Sequence, residues 1–137
     1  ASESMMSVGV NACTDITGYG LLGHLLEMCK GSKLSANINF DSIQFMTGAK
    51  KLAKEGVVPG GTKKNYDFIK DDIIFSNNLG ISEKYLLADA QTSGGLLISV
   101  SKEKLDELKS KLSTSKYGCM EIGSFEDLDS NYHIKVS

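Results

Sequence analysis

The chain has 137 residues, of which 41% are hydrophobic and 23% charged, and its formal net charge is −2. These values are typical of one globular domain that is long enough to enclose a hydrophobic core. Such a weak charge argues against a nucleic-acid partner or an anionic membrane surface. No run approaches the ~18 apolar residues of a membrane span, and residues 1–7 lack the basic and apolar regions of a signal peptide. We therefore expect a cytoplasmic protein with no nucleic acid and no membrane among its partners.

The chain contains three cysteines, Cys13, Cys29 and Cys119, without CxxC or Cys/His spacing. An odd number without such spacing supports neither a disulfide framework nor a zinc site. Reduced thiols are expected in a cytoplasmic chain. For Cys13 we expect a small buried strand residue rather than a nucleophile.

The first predicted elements are a strand over residues 8–13 and a helix over residues 20–30, with Gly31 as its stop signal. Asp15 lies between them. The backbone N–H groups and the dipole at a helix start favour phosphate, and an acid beside bound phosphate commonly holds Mg2+. This junction is therefore the first candidate site. For His24, on the predicted helix, we expect a half-exposed side chain without a functional role.

The glycines of this junction also match the G-x-G-x-x-G fingerprint of dinucleotide-binding proteins over residues 18–23, and Asp41 follows at a suitable distance. A dinucleotide site needs its first glycine directly after an apolar parallel strand. Here Thr14, Asp15 and Thr17 precede it, and a buried central strand rarely carries an unpaired carboxylate. The spacing alone leaves three interpretations: a phosphate and Mg2+ site, a dinucleotide site, or a glycine turn before a core helix.

The middle of the chain predicts a strand, a helix and two irregular segments. Residues 34–40 alternate between apolar and polar side chains, which indicates a strand with one wet face. An apolar stripe over residues 45–53 indicates a helix that ends at Gly56. The Pro-Gly-Gly sequence within residues 58–65 predicts a loop whose backbone can approach another surface. Residues 65–82 fit no clean period, and we expect a mobile connection with short helical pieces.

The last third contains a turn over residues 89–95, where hydroxyl groups and a glycine pair precede a strand. Such a turn can point N–H groups at an anion or bend the chain into a buried strand. Ser101 is a predicted cap for a purely structural helix. The other predicted elements are a short helix over 82–88, a strand over 96–100, and two closing strands over 120–125 and 132–136 that form a hairpin. The alternation of strands and helices, followed by two strands, predicts a mixed β-sheet covered by helices, in the α+β or α/β sandwich class.

Three segments resemble the selenophosphate synthetase (selenide, water dikinase) family: ACTDITGYGLLGHLLEM in residues 12–28, VPGGT in residues 58–62 and LLADAQTSGGLL in residues 86–97. They occur in the family's order. The resemblance covers the C-terminal half of that enzyme, and the family's N-terminal glycine-rich segment, with its reactive Cys or selenocysteine and its Lys, has no counterpart here. Ala90 stands where the family usually has proline.

The resemblance implies the C-terminal-domain fold of the aminoimidazole ribonucleotide synthetase superfamily. Residues 1–137 would be a single domain that packs against an N-terminal ATP-binding domain. The whole enzyme, a homodimer by this resemblance, would convert selenide, ATP and water into selenophosphate, AMP and phosphate for selenocysteine and selenouridine synthesis. Mg2+ is the implied cofactor and ATP an implied substrate. We expect this chain alone to be inactive.

By the same resemblance Asp15 is a Mg2+ ligand, and no residue of this chain is assigned as catalytic. The residues expected to line the nucleotide site belong to three glycine-containing segments. They are Thr17, Gly18, Gly20, Gly60, Gly61, Thr62, Thr92, Ser93, Gly94 and Gly95. Two alternatives stay open from the residues alone: a non-catalytic domain that binds or covers a partner domain, and a dinucleotide-binding oxidoreductase domain.

Overall fold

The structure is a computed structural model that describes residues 2–113 and 118–137. The helices within these ranges are α1 (Ser2–Val8), α2 (Gly20–Ser32), α3 (Ala49–Lys54), α4 (Gly60–Ile69), α5 (Ile81–Ala88) and α6 (Leu105–Leu112). The strands are β1 (Ala12–Asp15), β2 (Leu34–Ile38), β3 (Ile73–Phe75), β4 (Leu96–Ser99), β5 (Gly123–Asp127) and β6 (Ile134–Val136). No described helix is long and apolar enough to cross a membrane.

Four of the strands form one mixed sheet in the order β3-β6-β2-β5. β2 pairs with β6 in parallel and with β5 antiparallel, and β3 pairs with β6 in parallel. The predicted mixed sheet is therefore confirmed. The predicted hairpin of the last two strands is wrong, because β5 and β6 lie on opposite sides of β2. The segment that joins them passes β2, where its Tyr132 carbonyl accepts a hydrogen bond from the Ser35 hydroxyl at 2.9 Å.

β2 is mostly buried because it lies inside the sheet, so the predicted wet face is only partly right: Asn37 is partly exposed, but Ser35 is not. Ser35, Ala36 and Ile38 are 0%, 1% and 4% exposed. The alternation misled because Ser35 is polar and yet satisfied: its hydroxyl also accepts a hydrogen bond from the Asp129 amide at 2.9 Å. A buried hydroxyl with both roles filled avoids the desolvation penalty that would otherwise exclude it from a core.

The main hydrophobic core lies between this sheet and α2, α4 and α5. The predicted helix over residues 20–30 is confirmed, and it continues through Gly31 to Ser32. Its leucines and Cys29 meet the sheet residues Ile134 and Val136, which are fully buried. Burial also raises the pKa of Cys29 to about 11, so this thiol stays protonated at neutral pH. Lys33 caps the C-terminal end of the helix and adopts the left-handed conformation with φ 54°.

The two remaining strands, β1 and β4, form an antiparallel pair in which Ala12 is opposite Ser99 and Asp15 is opposite Leu96. A smaller core beside them contains Val8, Leu108 and Leu112. The predicted strand over residues 8–13 is only partly right, because residues 2–8 form α1 and bury Val8 against α6. The prediction for Cys13 is wrong: this residue is exposed.

The segment over residues 58–82 differs most from the prediction. Pro59 precedes the first turn of α4 with φ −59°, and Gly60 and Gly61 are helical rather than part of a loop. Proline is well suited to a helix start, and the burial of Thr62 and Ile69 stabilises a helix that its glycines disfavour. Residues 65–82 contain the end of α4, a 3-10 turn, the strand β3 and the start of α5. The expected short helical pieces are therefore present, but the strand was not predicted.

The remaining predicted helices and strands are present with shifted bounds, whereas the cap predicted at Ser101 is wrong. α5 and β4 confirm the helix over 82–88 and the strand over 96–100. The helix predicted from the stripe over 45–53 is limited to α3, none of whose residues is buried. Ser101 precedes a 3-10 turn that leads into α6, but its side chain makes no capping hydrogen bond.

Candidate functional site

The candidate site is built around the junction of β1 and α2. Asp15 is the last residue of β1, and its side chain is exposed. Three loop residues follow before Tyr19 leads into Gly20, the first residue of α2, with φ +69°. A carboxylate is thus placed one short loop before a helix start, as the sequence predicted.

The turn over residues 89–95 lies directly against this junction. The Gln91 amide donates to the Thr17 carbonyl at 2.9 Å, and the Ile16 amide donates to the Gly95 carbonyl at 2.9 Å. The amide of Gly20 also donates to the Thr17 carbonyl, at 3.1 Å. Backbone hydrogen bonds therefore hold together two segments that are more than seventy residues apart in the sequence. Thr92 and Ser93 are exposed on this turn, and Ser93 has φ +58°.

The glycines of the two segments have two different roles. A Cβ on Gly20 would lie 2.6 Å from the Ala88 carbonyl carbon, and one on Gly94 would lie 2.2 Å from the Ile16 oxygen. These two glycines are needed so that backbones can approach each other. Gly18 and Gly95 have no atom within 4 Å of the same position, so their backbone is open.

The helix α4 contributes a third segment, which the sequence placed in a loop. Thr62 is 1% exposed, and its hydroxyl donates a hydrogen bond to the Asp89 carboxylate. The Asn65 amide donates to the Gly18 carbonyl at 2.8 Å and to the Ala88 carbonyl at 3.0 Å. Gly60 and Gly61, one turn earlier, have no neighbouring atom where a Cβ would stand.

His24 is buried beside the junction, so the expected half-exposed side chain is wrong. It is 8% exposed, and its Nε2 lies 3.0 Å from the Thr17 hydroxyl. Its Nδ1 lies 3.4 Å from a Glu27 carboxylate oxygen but makes no hydrogen bond with the described residues. The helical spacing gave the residue but could not show that the loop over residues 16–19 folds back onto it.

The predicted site residues are thus brought to one region, with differences in access. Most of them are exposed: Thr17, Gly18, Thr92, Ser93 and Gly95 around the junction, and Gly60 and Gly61 at the start of α4. Thr62 and Gly20 are buried, and Gly94 is packed. Asn65, Asp89 and His24 were not predicted to belong to the site, because their contacts join segments far apart in the chain.

The charge of Asp15 affects Cys13, two residues earlier in β1. Partial burial, and then the neighbouring charge of Asp15, raise the pKa of the Cys13 thiol, so Cys13 is a poor nucleophile at neutral pH. In the described ranges, no three His, Cys, Asp or Glu side chains converge as a metal site would require. The oxygen ligand that Asp15 offers is of the hard kind that Mg2+ prefers, and it fits a metal whose other ligands come from phosphates, water or another domain.

The geometry argues against a dinucleotide site. A dinucleotide-binding fingerprint follows a parallel strand, whereas β1 pairs antiparallel with β4. The second glycine of the fingerprint must leave its backbone open to a pyrophosphate, but the Ala88 and Asp89 backbone fills the space at Gly20.

Comparison with known proteins identifies the family. Residues 1–134 match the family described as AIR synthase related protein, C-terminal domain. The chain belongs to this family. The predicted sandwich fold class is thereby confirmed, together with the helices and mixed sheet of the structure.

Curated relatives carry the name selenide, water dikinase. One from Caldanaerobacter subterraneus subsp. tengcongensis is 44% identical in an alignment of 131 residues that covers 93% of this chain. Others from Shewanella baltica (strain OS185) and Shewanella sp. (strain ANA-3) are 46% and 44% identical over 86% of it. The chain spans 37% of the first relative and 33% of each of the other two. The predicted resemblance to this family is confirmed.

Proposed function

We propose that this chain is the C-terminal domain of a selenide, water dikinase, which makes selenophosphate from selenide, ATP and water and releases AMP and phosphate. The names of the relatives and the identity of 44–46% support this assignment. The proposal includes an N-terminal ATP-binding domain that packs against this one in a cytoplasmic homodimer. The products would serve selenocysteine and selenouridine synthesis.

One observation carries the proposal. The three segments that resemble the family lie far apart in the sequence, yet their residues contact one another around the loop that follows Asp15. Segments that act on one substrate are expected to meet in space, whereas packing alone does not require exposed hydroxyls and open glycines at their meeting point.

Asp15 would contribute one carboxylate oxygen to Mg2+. Its exposure at the end of β1 leaves it accessible to a second domain, and Mg2+ usually binds one or two carboxylates together with substrate phosphates. Bound Mg2+ neutralises charge on the transferring phosphoryl group. Because the carboxylate belongs to this domain, a complete site would form only when both domains are closed.

The open backbone would bind phosphate oxygens. No neighbouring atom lies within 4 Å of the Cβ position at Gly18 or Gly95, nor at Gly60 or Gly61 at the start of α4, so a ligand could approach the backbone there. A helix start of this kind favours anions. The hydroxyls of Thr17, Thr92 and Ser93 would add hydrogen-bond donors. The less exposed residues Thr62, Gly20 and Gly94 would not contact the ligand but would hold the segments of the site together.

The test uses the full-length protein that contains this chain. Purified enzyme is incubated with ATP, selenide and Mg2+, selenophosphate is followed by 31P NMR, and AMP is quantified by chromatography. We expect equal amounts of selenophosphate and AMP, and no AMP when selenide is omitted. The chain alone, residues 1–137, is the matched control and is expected to produce neither. AMP release that does not depend on selenide would contradict the proposal.

A further inference from the structure

Asn65 bridges the two glycine-rich segments of the site with one side chain. Its amide nitrogen donates to the Gly18 carbonyl at 2.8 Å and to the Ala88 carbonyl at 3.0 Å. An asparagine amide has two hydrogens to donate, so these two carbonyls use its full donor capacity. The first carbonyl belongs to the loop after Asp15, and the second to the last residue of α5, directly before the turn over residues 89–95.

Thr62 adds a second contact from the same face of α4. Residues three apart on a helix lie on one face, and here Thr62 and Asn65 both point at the end of α5. The Thr62 hydroxyl contacts the Asp89 carboxylate, the residue after Ala88. Thr62 is 1% exposed and Ala88 is 0% exposed. The hydrogen bonds from Thr62 to Asp89 and from Asn65 to Ala88 are therefore partly shielded from water, whereas the bond from Asn65 to Gly18 is exposed.

The hydrogen-bonding groups make this arrangement specific for an amide side chain. The two carbonyl oxygens held by Asn65 would repel each other if no donor stood between them. A carboxylate in place of the amide would present further acceptors to them at hydrogen-bond distance. The bridge therefore requires an amide and not merely a polar residue of this size.

We propose that Asn65 and Thr62 form a polar brace that fixes the loop over residues 16–19, directly after Asp15, relative to the turn over residues 89–95. The two residues would then be positioning residues for the reaction. The brace acts on Asp15 through Gly18, which lies three residues later in the loop that follows β1. This inference rests on the proposed function for its kinetic consequence, but not for its structural one. Catalysis of phosphoryl transfer depends mostly on positioning, so a small displacement of this loop should be costly.

The experiment compares four variants of the full-length protein. Asn65→Asp keeps the shape of the side chain and removes its donors. Thr62→Val keeps the shape and removes the hydroxyl, whereas Thr62→Ser restores it. Lys63→Ala is the matched control, because Lys63 lies between the two brace residues on the exposed face of α4.

The structural readout is amide hydrogen exchange. The amides of Gly20 and Gln91 both donate to the Thr17 carbonyl, so they report on the joint between the two segments. We expect both to exchange at least about tenfold faster in Asn65→Asp and Thr62→Val, with wild-type rates in Thr62→Ser and Lys63→Ala. The amide of Ala36, which donates to the His133 carbonyl in the sheet, should keep its rate. Unchanged exchange at Gly20 and Gln91 would overturn the brace.

The kinetic readout is selenide-dependent AMP release. Displacement of a site loop by about 1 Å can cost on the order of a hundredfold in rate, so we expect kcat of Asn65→Asp to fall at least about tenfold. The Mg2+ concentration for half-maximal rate should rise, and Thr62→Ser should retain wild-type values. Wild-type kcat and Mg2+ dependence in Asn65→Asp would overturn the positioning role even if exchange changes.

The two readouts separate the possible failures. A wild-type enzyme without selenide-dependent AMP release refutes the proposed function, while the exchange rates still decide on the brace. If Asn65→Asp does not fold, Thr62→Val measures the same joint, and equal exchange at Gly20 in Thr62→Val and Thr62→Ser refutes the brace.

Discussion

Two glycine pairs in this molecule share a sequence but not a role. Gly94 and Gly95 precede β4, and Gly60 and Gly61 begin α4. In the first pair, Gly94 is pressed against the Ile16 carbonyl, and a Cβ there would stand 2.2 Å from its oxygen. In the second pair, neither glycine has an atom within 4 Å of the Cβ position. Gly94 allows two backbones to approach each other, whereas Gly60 and Gly61 leave a helix start open.

The difference shows that glycine in a candidate site has two physical explanations. Close approach of two backbones needs the absence of a side chain for packing, whereas an open helix start needs it for access to a ligand. Substitutions at the first kind of glycine should act on stability, and those at the second kind on binding. The predictions below test whether this division holds.

The largest effect is expected at Asp15, which lies next to the residue packed against Gly94 but is itself exposed. In the full-length enzyme, Asp15→Asn should lower the rate by on the order of a hundredfold or more, because a charged Mg2+ ligand is lost. The melting temperature should stay almost unchanged, since the exposed carboxylate has no ion-pair partner in the described part of the chain. Mg2+-dependent kinetics and thermal melting are the measurements. Normal turnover with normal Mg2+ dependence would show that Asp15 is not a metal ligand.

The next effect compares the packed Gly94 with its open neighbour Gly95. Gly94→Ala should destabilise the chain by about 1–3 kcal/mol, because the backbone of Ile16 must move to admit the methyl group. Gly95→Ala is the control and should change the free energy of unfolding by less than about 0.5 kcal/mol. Urea unfolding of both variants measures the difference. Equal stability of the two would mean that the close approach at Gly94 is absent in solution.

A smaller effect of opposite sign is expected at the open pair. Gly61→Ala should stabilise the chain by about 0.5–1 kcal/mol, because alanine loses less conformational freedom in a helix. The KM for ATP should rise, since the methyl group occupies the space through which a phosphate would approach. Gly31→Ala in α2 is the control: its position is equally open, so it should stabilise without any change in KM. An unchanged KM in Gly61→Ala would remove Gly61 from the nucleotide site.

The smallest effect is a predicted absence of binding. Because Gly20 is a packed glycine, its backbone cannot approach a pyrophosphate, and Asp41 then has no ribose to hold. Calorimetry with NAD and NADP should show no heat of binding. Micromolar affinity that Asp41→Ala weakens would restore the oxidoreductase interpretation.

Much of the fold was predictable from local patterns. The leucines of α2 recur at helical spacing and do form the main core, and the alternation over residues 132–136 does mark β6. Three features had no local signal. β3 has only three residues, the partner of β5 lies about ninety residues away, and α4 begins with glycines that disfavour a helix.

The candidate site was predictable in part for the same reason. The position of Asp15 between a strand and a helix follows from neighbouring residues, and the structure has it there. The hydrogen bonds of Asn65 join it to residues 47 and 23 positions away, so no periodicity could indicate them. The sequence also could not separate packed glycines from open ones, because the neighbours of Gly20 and Gly94 belong to other segments.

The position of β6 inside the sheet has a consequence for the order of folding. β3 pairs with β6 in the described sheet, and β6 in turn pairs with β2. β2 and β3 therefore cannot be joined until residues 134–136 have been synthesised and inserted between them. The hydrogen bond from the Ser137 amide to the Ile38 carbonyl, at 2.9 Å, closes a loop of nearly a hundred residues. Such distant pairing slows folding. It also leaves the edges of both strands unpaired during translation, and unpaired strand edges make a folding chain prone to aggregation.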